Sequence, residues 1–502
     1  MSSLFLVSTV TVDAHLSGTF DRNLRVRCIS DLIELLYRDR LSGAHSYEKD
    51  VSLVVFEPQT ERVTRSRTKG VRDLNLLSFQ DLQELLLLQF PCFNIRVVRP
   101  HDLKSVIGEI KASSDLYHDR LARTCAWMYS DDNHNESDKP NGKQLGAKCC
   151  SQNVYSMLRQ LQQARKSREQ HKDKIRFSQL ISESLDVRQL LTLPKGADDA
   201  HYWKLLQTWD FCALSLSICE LVWCSFLVLK RASQEADMLL SENDLLMMLI
   251  TLEASYHQEN KFHNFRHAVD VMQATWRLCF HLSRYLDSKS NILLLCVAAI
   301  GHDVGHPGTS NVLLSEYKSP VALKYDNKSV LENFHSEVFI GLLSTHLPLL
   351  VERQGNLITE TILATDMALH SQYVDKLKSN TYASTLMSLI IKAADISNVT
   401  RSLEISRQWA VLITWEFNDC ALLEKRLKSN DETVEADDCA ESIPPSLEET
   451  LRKYPSLPKG QLFFINTFAE SLFAGLGAKF KEVGFLNENV QSNKRFWEGK
   501  CQ

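Results

Sequence analysis

The stretch NILLLCVAAIGHD, residues 291–303, is a run of apolar residues that ends in a histidine and an aspartate. Two further stretches, ENDLLMMLITLEASY (242–256) and SEVFIGLLSTHL (336–347), also repeat apolar residues at helical spacing. From about residue 180 onward this pattern continues with almost no strand signal. The sequence therefore predicts an all-α domain over 181–502, with helices packed around one core.

The first 125 residues follow a different pattern. Runs rich in β-branched and aromatic residues alternate there with helical patterns at 30–40 and 78–89; the runs are LFLVSTVTV (4–12), SLVVFEP (52–58) and FNIRVVRP (93–100). Strands that alternate with helices are typical of βαβ units on a parallel sheet, so we expect a small α/β domain over 1–125. It contains no nucleotide-binding glycine motif. We expect an interaction or stabilising domain, which leaves open a protein partner or self-association.

Residues 126–180 separate the two parts and are largely polar. SDDNHNESDKPNGKQLGAK (130–148) has the composition of a linker, and the basic run after it, 156–174, predicts a charged helix with a solvated face. Within the second part, the acidic stretch 429–446 predicts a surface loop.

Composition and charge argue against two classes of partner. The net charge of −5 provides no global field for nucleic acid. FCALSLSICELVWCSFLVL (211–229) has the length of a membrane span, but Glu220 lies at its centre. A charge there is costly in lipid, so we expect a buried core helix and no membrane partner. The 13 scattered cysteines fit reduced thiols, and we expect residence in the cytoplasm with access to the nucleus.

Histidines and aspartates recur at three places in the second part. His263 and His267 are four residues apart, which puts them on one face of a helix. His302 and Asp303 end the apolar run, where burying them is costly unless a group such as a metal pairs with them. Asp395 ends another apolar helical run. A ligand set for zinc or a similar divalent ion follows: His267, His302, Asp303 and Asp395.

Two cations at such a site would suit hydrolysis at phosphorus. Asp303 is the ligand best placed to bridge them, and a water between them would have a lowered pKa and supply hydroxide as the nucleophile. His263 lies one helical turn from His267 and could act as the general acid for the leaving alkoxide. Taken singly, each of these residues is more often structural, as a hydrogen-bonded histidine or a helix cap.

The series of motifs resembles the signature of class I cyclic-nucleotide phosphodiesterases over roughly 185–502. Matching in order are F-H-N-x-x-H (262–267), H-D-x-x-H-x-x-x-x-N (302–311), Y-D-N-x-S-V-L-E-N (325–333), A-T-D-M (364–367), A-D-I-S-N (394–398), R-Q-W (407–409) and G-Q-x-x-F-I (460–465). Within this family, the sequence is most similar to the fungal high-affinity cyclic AMP phosphodiesterases. The resemblance implies a bundle of about sixteen helices that hydrolyses 3′,5′-cyclic AMP to 5′-AMP and so ends cyclic AMP signalling.

The resemblance also implies cofactors and residue roles. It places Zn²⁺ in a tight site formed by the four ligands above, and Mg²⁺ or Mn²⁺ in a second site reached through Asp303. His263 matches the general acid. A shell that holds metal-bound waters matches His306, Glu332, His335 and Thr365. The substrate pocket matches Asn398 beside adenine, Gln461 on the purine edge and Phe464 as the aromatic clamp.

Four positions depart from the pattern of animal members. Phe262 stands where those have a tyrosine. Gly305 and Phe334 stand where those usually have aspartate and histidine, which bears on the network of waters, and Ser406 replaces a tyrosine. Two other hypotheses stay open. The ligand pattern alone permits another His–Asp metal phosphohydrolase that acts on a different nucleotide phosphoester. A metal-stabilised binding protein without catalysis is the third reading.

Overall fold

The computed structural model describes residues 2–7, 10, 18, 20–58, 73–128, 177–377, 383–429 and 442–501. The predicted linker 130–148, the basic run 156–174 and most of the acidic stretch 429–446 lie outside the described residues. Several residues in the second half of the first predicted strand, 4–12, also lie outside them.

The N-terminal part contains a four-stranded parallel sheet, which confirms the predicted α/β class. Its strands are β1 (Ser2–Val7), β2 (Arg22–Val26), β3 (Val51–Val55) and β4 (Ile95–Val98), in the order β2-β1-β3-β4. The sequence did not predict β2, because this edge strand, RNLRV, alternates half-buried and exposed residues and carries two arginines. Helices Ile29–Ser42 and Phe79–Gln89 match the predicted ones, and Leu103–His118 and Arg120–Cys125 follow β4.

The two faces of the sheet pack on different cores. Leu4 and Leu53 lie in a small cluster with the helix that contains Leu103 and Ile107. Residues of the opposite face, including Phe5, join the main core, which continues through the helical half of the chain. Because apolar burial drives this association, the sheet and the helical part share one hydrophobic core. The division of the chain at residue 125 remains a proposal about its organisation.

The helical half confirms the predicted bundle. Its described α-helices are Phe177–Ser184, Asp199–Leu206, Ile218–Glu235, Glu242–Glu253, Phe265–Leu282, Lys289–Gly301, Asn311–Glu316, Pro320–Lys324, Val330–His346, Pro348–Leu363, His370–Leu377, Ala383–Asp395, Leu403–Ser429, Leu447–Lys453, Leu457–Phe464, Glu470–Lys479 and Gly484–Glu498. Helix Lys289–Gly301 is buried from Ile292 to its end, since neighbouring helices surround it. Among those neighbours are helices Phe265–Leu282 and Ala383–Asp395, so the three segments that carry the predicted metal ligands pack together.

The apolar stretch 211–229 forms a buried helix, as predicted, but the helix begins at Ile218. Ser217 and Glu220 form a capping box at its first turn: the Glu220 carboxylate accepts the backbone N–H of Ser217, and the Ser217 hydroxyl accepts that of Glu220. In the part of the chain that the structure describes, no helix combines the length and apolar character that crossing a membrane requires.

Candidate active site

Four side chains meet where the three central helices converge. Nε2 of His267 and Nε2 of His302 each lie 3.2 Å from Oδ1 of Asp395. Oδ2 of Asp303 lies 3.1 Å from Nε2 of His302 and 3.6 Å from Nε2 of His267. The structure thus brings together all four predicted metal ligands, with their donor atoms within 4.8 Å of one another.

This donor set fits a divalent cation. Bonds of about 2.1 Å around a tetrahedral or octahedral ion imply separations of roughly 3.0–3.4 Å between adjacent donors, close to those observed. The Nδ1 atom of His302 lies 2.8 Å from the carbonyl oxygen of Ala299, and donation there leaves Nε2 free to bind a metal. Burial raises the pKa of Asp395, but hydrogen bonds from His267 and His302 hold this pKa well below its usual range. Its carboxylate is therefore ionised, as a metal ligand must be.

Asp303 presents its two oxygens to different groups. Oδ2 faces the two histidines of the cluster, whereas Oδ1 faces His335, whose Nε2 lies 3.8 Å away. Nδ1 of His335 lies 2.8 Å from the carbonyl oxygen of Val304, which fixes the ring. A carboxylate with one oxygen in the ligand cluster and one outside it could serve two cations at once.

His263 lies beside the cluster, and Glu416 is its partner. Nδ1 of His263 contacts Oε1 of Glu416, and Oε2 of the same carboxylate accepts the backbone N–H groups of Phe262 (2.8 Å) and His263 (3.1 Å). Burial alone would lower the pKa of His263, but the Glu416 carboxylate raises it to about 9. His263 is therefore an imidazolium at neutral pH, the form that a general acid requires.

Sequence reasoning missed Glu416. A signal was present: Glu416 follows Trp409 and Leu412 at helical spacing, so a carboxylate occupies a position in the apolar stripe of helix Leu403–Ser429. Only 2% of Glu416 is exposed, and a buried carboxylate requires a partner. The spacing gave no indication that this partner is His263, because the two residues lie 153 positions apart.

Two of the predicted shell residues, His306 and His335, lie against the His263–Glu416 pair and the metal cluster. The rings of His263 and His306 stack at 4.2 Å, and those of His306 and His335 at 5.5 Å. Burial lowers the pKa of His335 to about 4 and that of His306 well below its usual range, so both rings are neutral. Burial also raises the pKa of Glu332 to about 7. The remaining shell residue, Thr365, is buried and donates to the carbonyl of Ile362 at 2.8 Å.

Gly305 and Phe334, the two departures near the metal ligands, each occupy a distinctive place in the structure. Gly305 adopts a φ of +72°, a backbone conformation that residues other than glycine, asparagine and aspartate rarely adopt. Phe334 is fully buried, and its ring makes an edge contact at 5.2 Å with Trp127. Trp127 lies in the 3-10 turn Ala126–Met128, so the aromatic residue at position 334 packs against the segment that directly follows the α/β part.

The predicted substrate residues lie on two elements. Asn398 is in the 3-10 turn Ser397–Thr400, directly after Asp395, and its Oδ1 atom is buried without a hydrogen bond among the described residues. Gln461 is buried and Phe464 half-buried on helix Leu457–Phe464, which continues into the π-helical turn Ile465–Ala469. Asn398 follows the predicted ligand Asp395 by three residues, whereas Gln461 and Phe464 lie on a separate helix.

Comparison with known proteins gives consistent matches. The family model described as 3′5′-cyclic nucleotide phosphodiesterase matches residues 262–490, which include every site residue above. 3′,5′-Cyclic-nucleotide phosphodiesterase 2 of Saccharomyces cerevisiae is 42% identical, with 99% of each chain aligned. The crystal structure of yeast caPDE2 has a TM-score of 0.80 at 26% identity and covers the whole of both chains. Probable 3′,5′-cyclic phosphodiesterase pde-6 of Caenorhabditis elegans is 28% identical over 52% of this chain and 36% of that protein.

Proposed function

The chain belongs to the 3′,5′-cyclic-nucleotide phosphodiesterase family, and we propose that it hydrolyses 3′,5′-cyclic AMP to 5′-AMP and so ends cyclic AMP signalling. The observation that carries the proposal is the His267–His302–Asp303–Asp395 cluster with the His263–Glu416 pair beside it. The cluster fits a cation that binds a phosphate, and the pair supplies a proton donor. Family membership disfavours both a phosphohydrolase of another kind and a binding protein without catalysis.

We assign the four clustered ligands to a tight Zn²⁺ site, because two imidazoles and two carboxylates suit zinc. A second, hydrated Mg²⁺ or Mn²⁺ would bind through the outward oxygen of Asp303, with the surrounding shell holding its waters. When bound, the cations would neutralise the phosphate charge and activate water for attack at phosphorus.

The protein's own residues supply the proton. His263 is proposed to donate it to the O3′ atom as the P–O3′ bond breaks, and the Glu416 carboxylate keeps the imidazolium charged and oriented until then. The shell formed by His306, Glu332, His335 and Thr365 is proposed to orient water. Two of its members, His306 and His335, are neutral and do not compete with His263 for the role of acid.

Asn398 supports a preference for adenine. Its buried Oδ1 is an acceptor that lacks a donor in the described part of the chain, and the exocyclic amine of adenine is a donor. Guanine presents an oxygen acceptor at the corresponding place, so it would leave Oδ1 unpaired. Gln461 and Phe464 are proposed to hold the purine edge and to stack on the base.

The free cysteines bear on location, and the N-terminal sheet bears on partners. The cysteines of the described residues are free, which is consistent with residence in the cytoplasm or nucleus. The N-terminal sheet is proposed to bind a protein partner or to mediate self-association.

The test is hydrolysis of cyclic AMP by purified protein in Mg²⁺, beside a His263→Ala variant and an exposed control on another helix, His201→Ala, with zinc content measured on all three. We expect His263→Ala to retain zinc and lose kcat by about 100-fold or more, and the control to match the wild type. A wild-type protein that binds zinc and leaves cyclic AMP intact would overturn the proposal and favour a different phosphoester substrate.

A further inference from the structure

The residues that precede His263 form an irregular segment between helices Glu242–Glu253 and Phe265–Leu282. Within it, the Asn260 side chain connects two backbone segments, because its Nδ2 donates to the carbonyl oxygens of both His263 (2.9 Å) and His306 (2.7 Å). The rings of these two histidines are the pair that stacks at 4.2 Å. The position of Asn260 therefore sets the position of the proposed general acid.

On one side, this segment is held by the short helix Arg120–Cys125, which precedes the predicted linker. Arg120 donates to Oδ1 of Asn260 at 3.4 Å and to Oδ2 of Asp419 at 2.5 Å. Asp419 lies on helix Leu403–Ser429, one turn after Glu416. One guanidinium thus joins the segment that carries His263 to the helix that carries its partner Glu416.

Further contacts support this bridge. Arg123 pairs with Glu259 in the same segment, and Asp119 pairs with Arg426 on the long helix. Arg120 is 8% exposed, so its charge is held in a largely buried, fixed position. The space around it is also filled: a Cβ added at Gly308 would lie 2.9 Å from Oδ1 of Asn260 and 3.1 Å from Nη2 of Arg120.

On the other side, the segment is held by Glu48 and Arg40, which belong to the N-terminal α/β part of the chain (called the sheet domain below). Glu48 accepts the backbone N–H of Gln258 at 2.7 Å and contacts Nδ1 of His257 at 3.1 Å. Arg40 donates to the carbonyl oxygens of Glu253 (2.9 Å) and Tyr256 (2.6 Å) and to Glu48 at 3.1 Å. Every residue from Tyr256 to Asn260 therefore contacts the first 125 residues of the chain directly.

We propose that the N-terminal part of this chain positions the general acid, with Arg120 as the central positioning residue. This inference rests on the proposed role of His263. Among the described residues, the side-chain hydrogen bonds of Arg120 go to Asn260 and Asp419, and not to the metal ligands or to His263 itself. Arg120 acts by fixing the distance between the His263 segment and Glu416. Loss of Arg120 is expected to slow protonation of O3′, because a misplaced proton donor loses rate while substrate binding and metal binding continue.

The test compares full-length Arg120→Gln, Arg120→Lys and Arg22→Gln. The last is a matched control, because Arg22 forms a 2.7 Å ion pair with Asp39 inside the sheet domain. For Arg120→Gln we expect kcat for cyclic AMP to fall about 10-fold, KM to stay within about two-fold and zinc content to be unchanged. Arg120→Lys should recover part of kcat, because an ammonium can pair with Asp419 but lacks the fork that also reaches Asn260. Equal kcat for Arg120→Gln and Arg22→Gln would overturn the inference.

A second substrate separates positioning of the acid from general damage. An activated aryl diester, bis(p-nitrophenyl) phosphate, has a leaving group that does not need a proton. Arg120→Gln should therefore leave its hydrolysis nearly unchanged, whereas loss on both substrates would indicate a merely structural role. Where Arg120→Gln fails to fold, Asp419→Asn releases the same guanidinium from the other side and should give the same substrate-dependent loss.

A double-mutant cycle distinguishes failure of this inference from failure of the proposed function. If Arg120 acts through His263, Arg120→Gln should cost almost nothing further in a His263→Ala background. A full additional 10-fold loss there would overturn the positioning role while leaving the general acid in place. A His263→Ala variant with unchanged kcat would overturn the general-acid role on which this inference rests, whereas wild-type protein that leaves cyclic AMP intact would overturn the proposed function itself.

Discussion

At the scale of single residues, the charge on His263 depends on Glu416. The imidazolium acts as an acid only below its pKa, which the carboxylate raises to about 9 against the effect of burial. Activity that depends on this proton is therefore fully present at neutral pH and is lost as the pH rises through about 9. Without the Glu416 carboxylate, burial is expected to lower the pKa of His263, so activity would be lost at a lower pH.

Glu416→Gln is therefore expected to move the alkaline limb of kcat/KM for cyclic AMP down by at least about one pH unit. The measurement is a pH profile from about pH 6 to 10, with zinc content checked on each sample. Glu424→Gln is the matched control, since Glu424 lies on the same helix and pairs with the exposed Lys428. An alkaline limb that stays in place would contradict the assignment of Glu416 as the group that keeps His263 charged.

Asp395 tests the metal cluster in a different way. Its Oδ1 atom faces both ligand histidines, so Asp395→Ala should release the tight metal and reduce turnover to below about 1% of wild type. The fold should largely persist, because the surrounding helix Ala383–Asp395 is held by its apolar residues. Zinc content, circular dichroism and kcat are compared with Glu360→Ala, an exposed position. Near-full activity in Asp395→Ala would show that the ligand assignment is wrong.

At the scale of elements, helix Ile218–Glu235 shows how a polar residue can mark a boundary. Ser217 and Glu220 exchange hydrogen bonds with each other's backbone N–H groups at the helix start. From the sequence, Glu220 indicated only that the stretch does not span a membrane. Its position in the structure adds that a new helix is capped three residues earlier, at Ser217, because the first N–H groups of a helix lack partners inside it.

Ser217→Ala should remove one of these caps and destabilise the protein by about 1 kcal/mol. The check is the midpoint of urea-induced unfolding, followed by fluorescence of the tryptophans. Ser215→Ala is the control, since that exposed hydroxyl donates to the carbonyl of Cys212 in a short 3-10 turn and caps no α-helix. Indistinguishable midpoints for the two variants would argue against an energetic role for the capping box.

At the scale of the whole molecule, Glu48 and His257 join the sheet domain to the helical part. Burial raises the pKa of Glu48, but contacts with His257 and Arg40 lower it from 4.5 to about 2. Burial lowers the pKa of His257, but Cys92 and Glu48 raise it from 6.5 to about 10. Stability from the histidine is thus fully present below pH 6.5 and is lost as the pH rises through about 10. Stability from the glutamate is present above pH 4.5 and is lost as the pH falls through about 2.

His257→Gln should therefore destabilise the protein most near pH 6, by about 2 kcal/mol, the size of a hydrogen bond to a charged group. The difference in free energy of unfolding from wild type should shrink toward pH 10, as the wild-type histidine loses its proton. Urea titrations at about pH 6, 8 and 10 measure this difference. If the loss of unfolding free energy in His257→Gln stays constant over this range, packing and not charge accounts for the stability that His257 contributes.

The sequence by itself predicted the fold class, the parallel sheet of the N-terminal part and the four residues that the structure brings together as a candidate metal cluster. These follow from local signals: apolar periodicity selects helices or strands, and a histidine and an aspartate at the end of an apolar helix need a partner whatever the rest of the chain does. The sequence missed the edge strand Arg22–Val26, because a strand exposed on one side carries too few apolar residues to stand out. It also placed the start of helix Ile218–Glu235 too early.

Only the tertiary structure decided which distant residues act together. Glu416 lies 153 positions from His263, and Arg120 lies 140 positions from Asn260, yet each pair is in contact. No periodicity encodes such a pair, since a buried charge requires some partner without specifying where in the sequence that partner lies. Packing determines the partners, because helix Leu403–Ser429 and the N-terminal part both contact the segment that carries His263. Charged residues on all three therefore form ion pairs with one another.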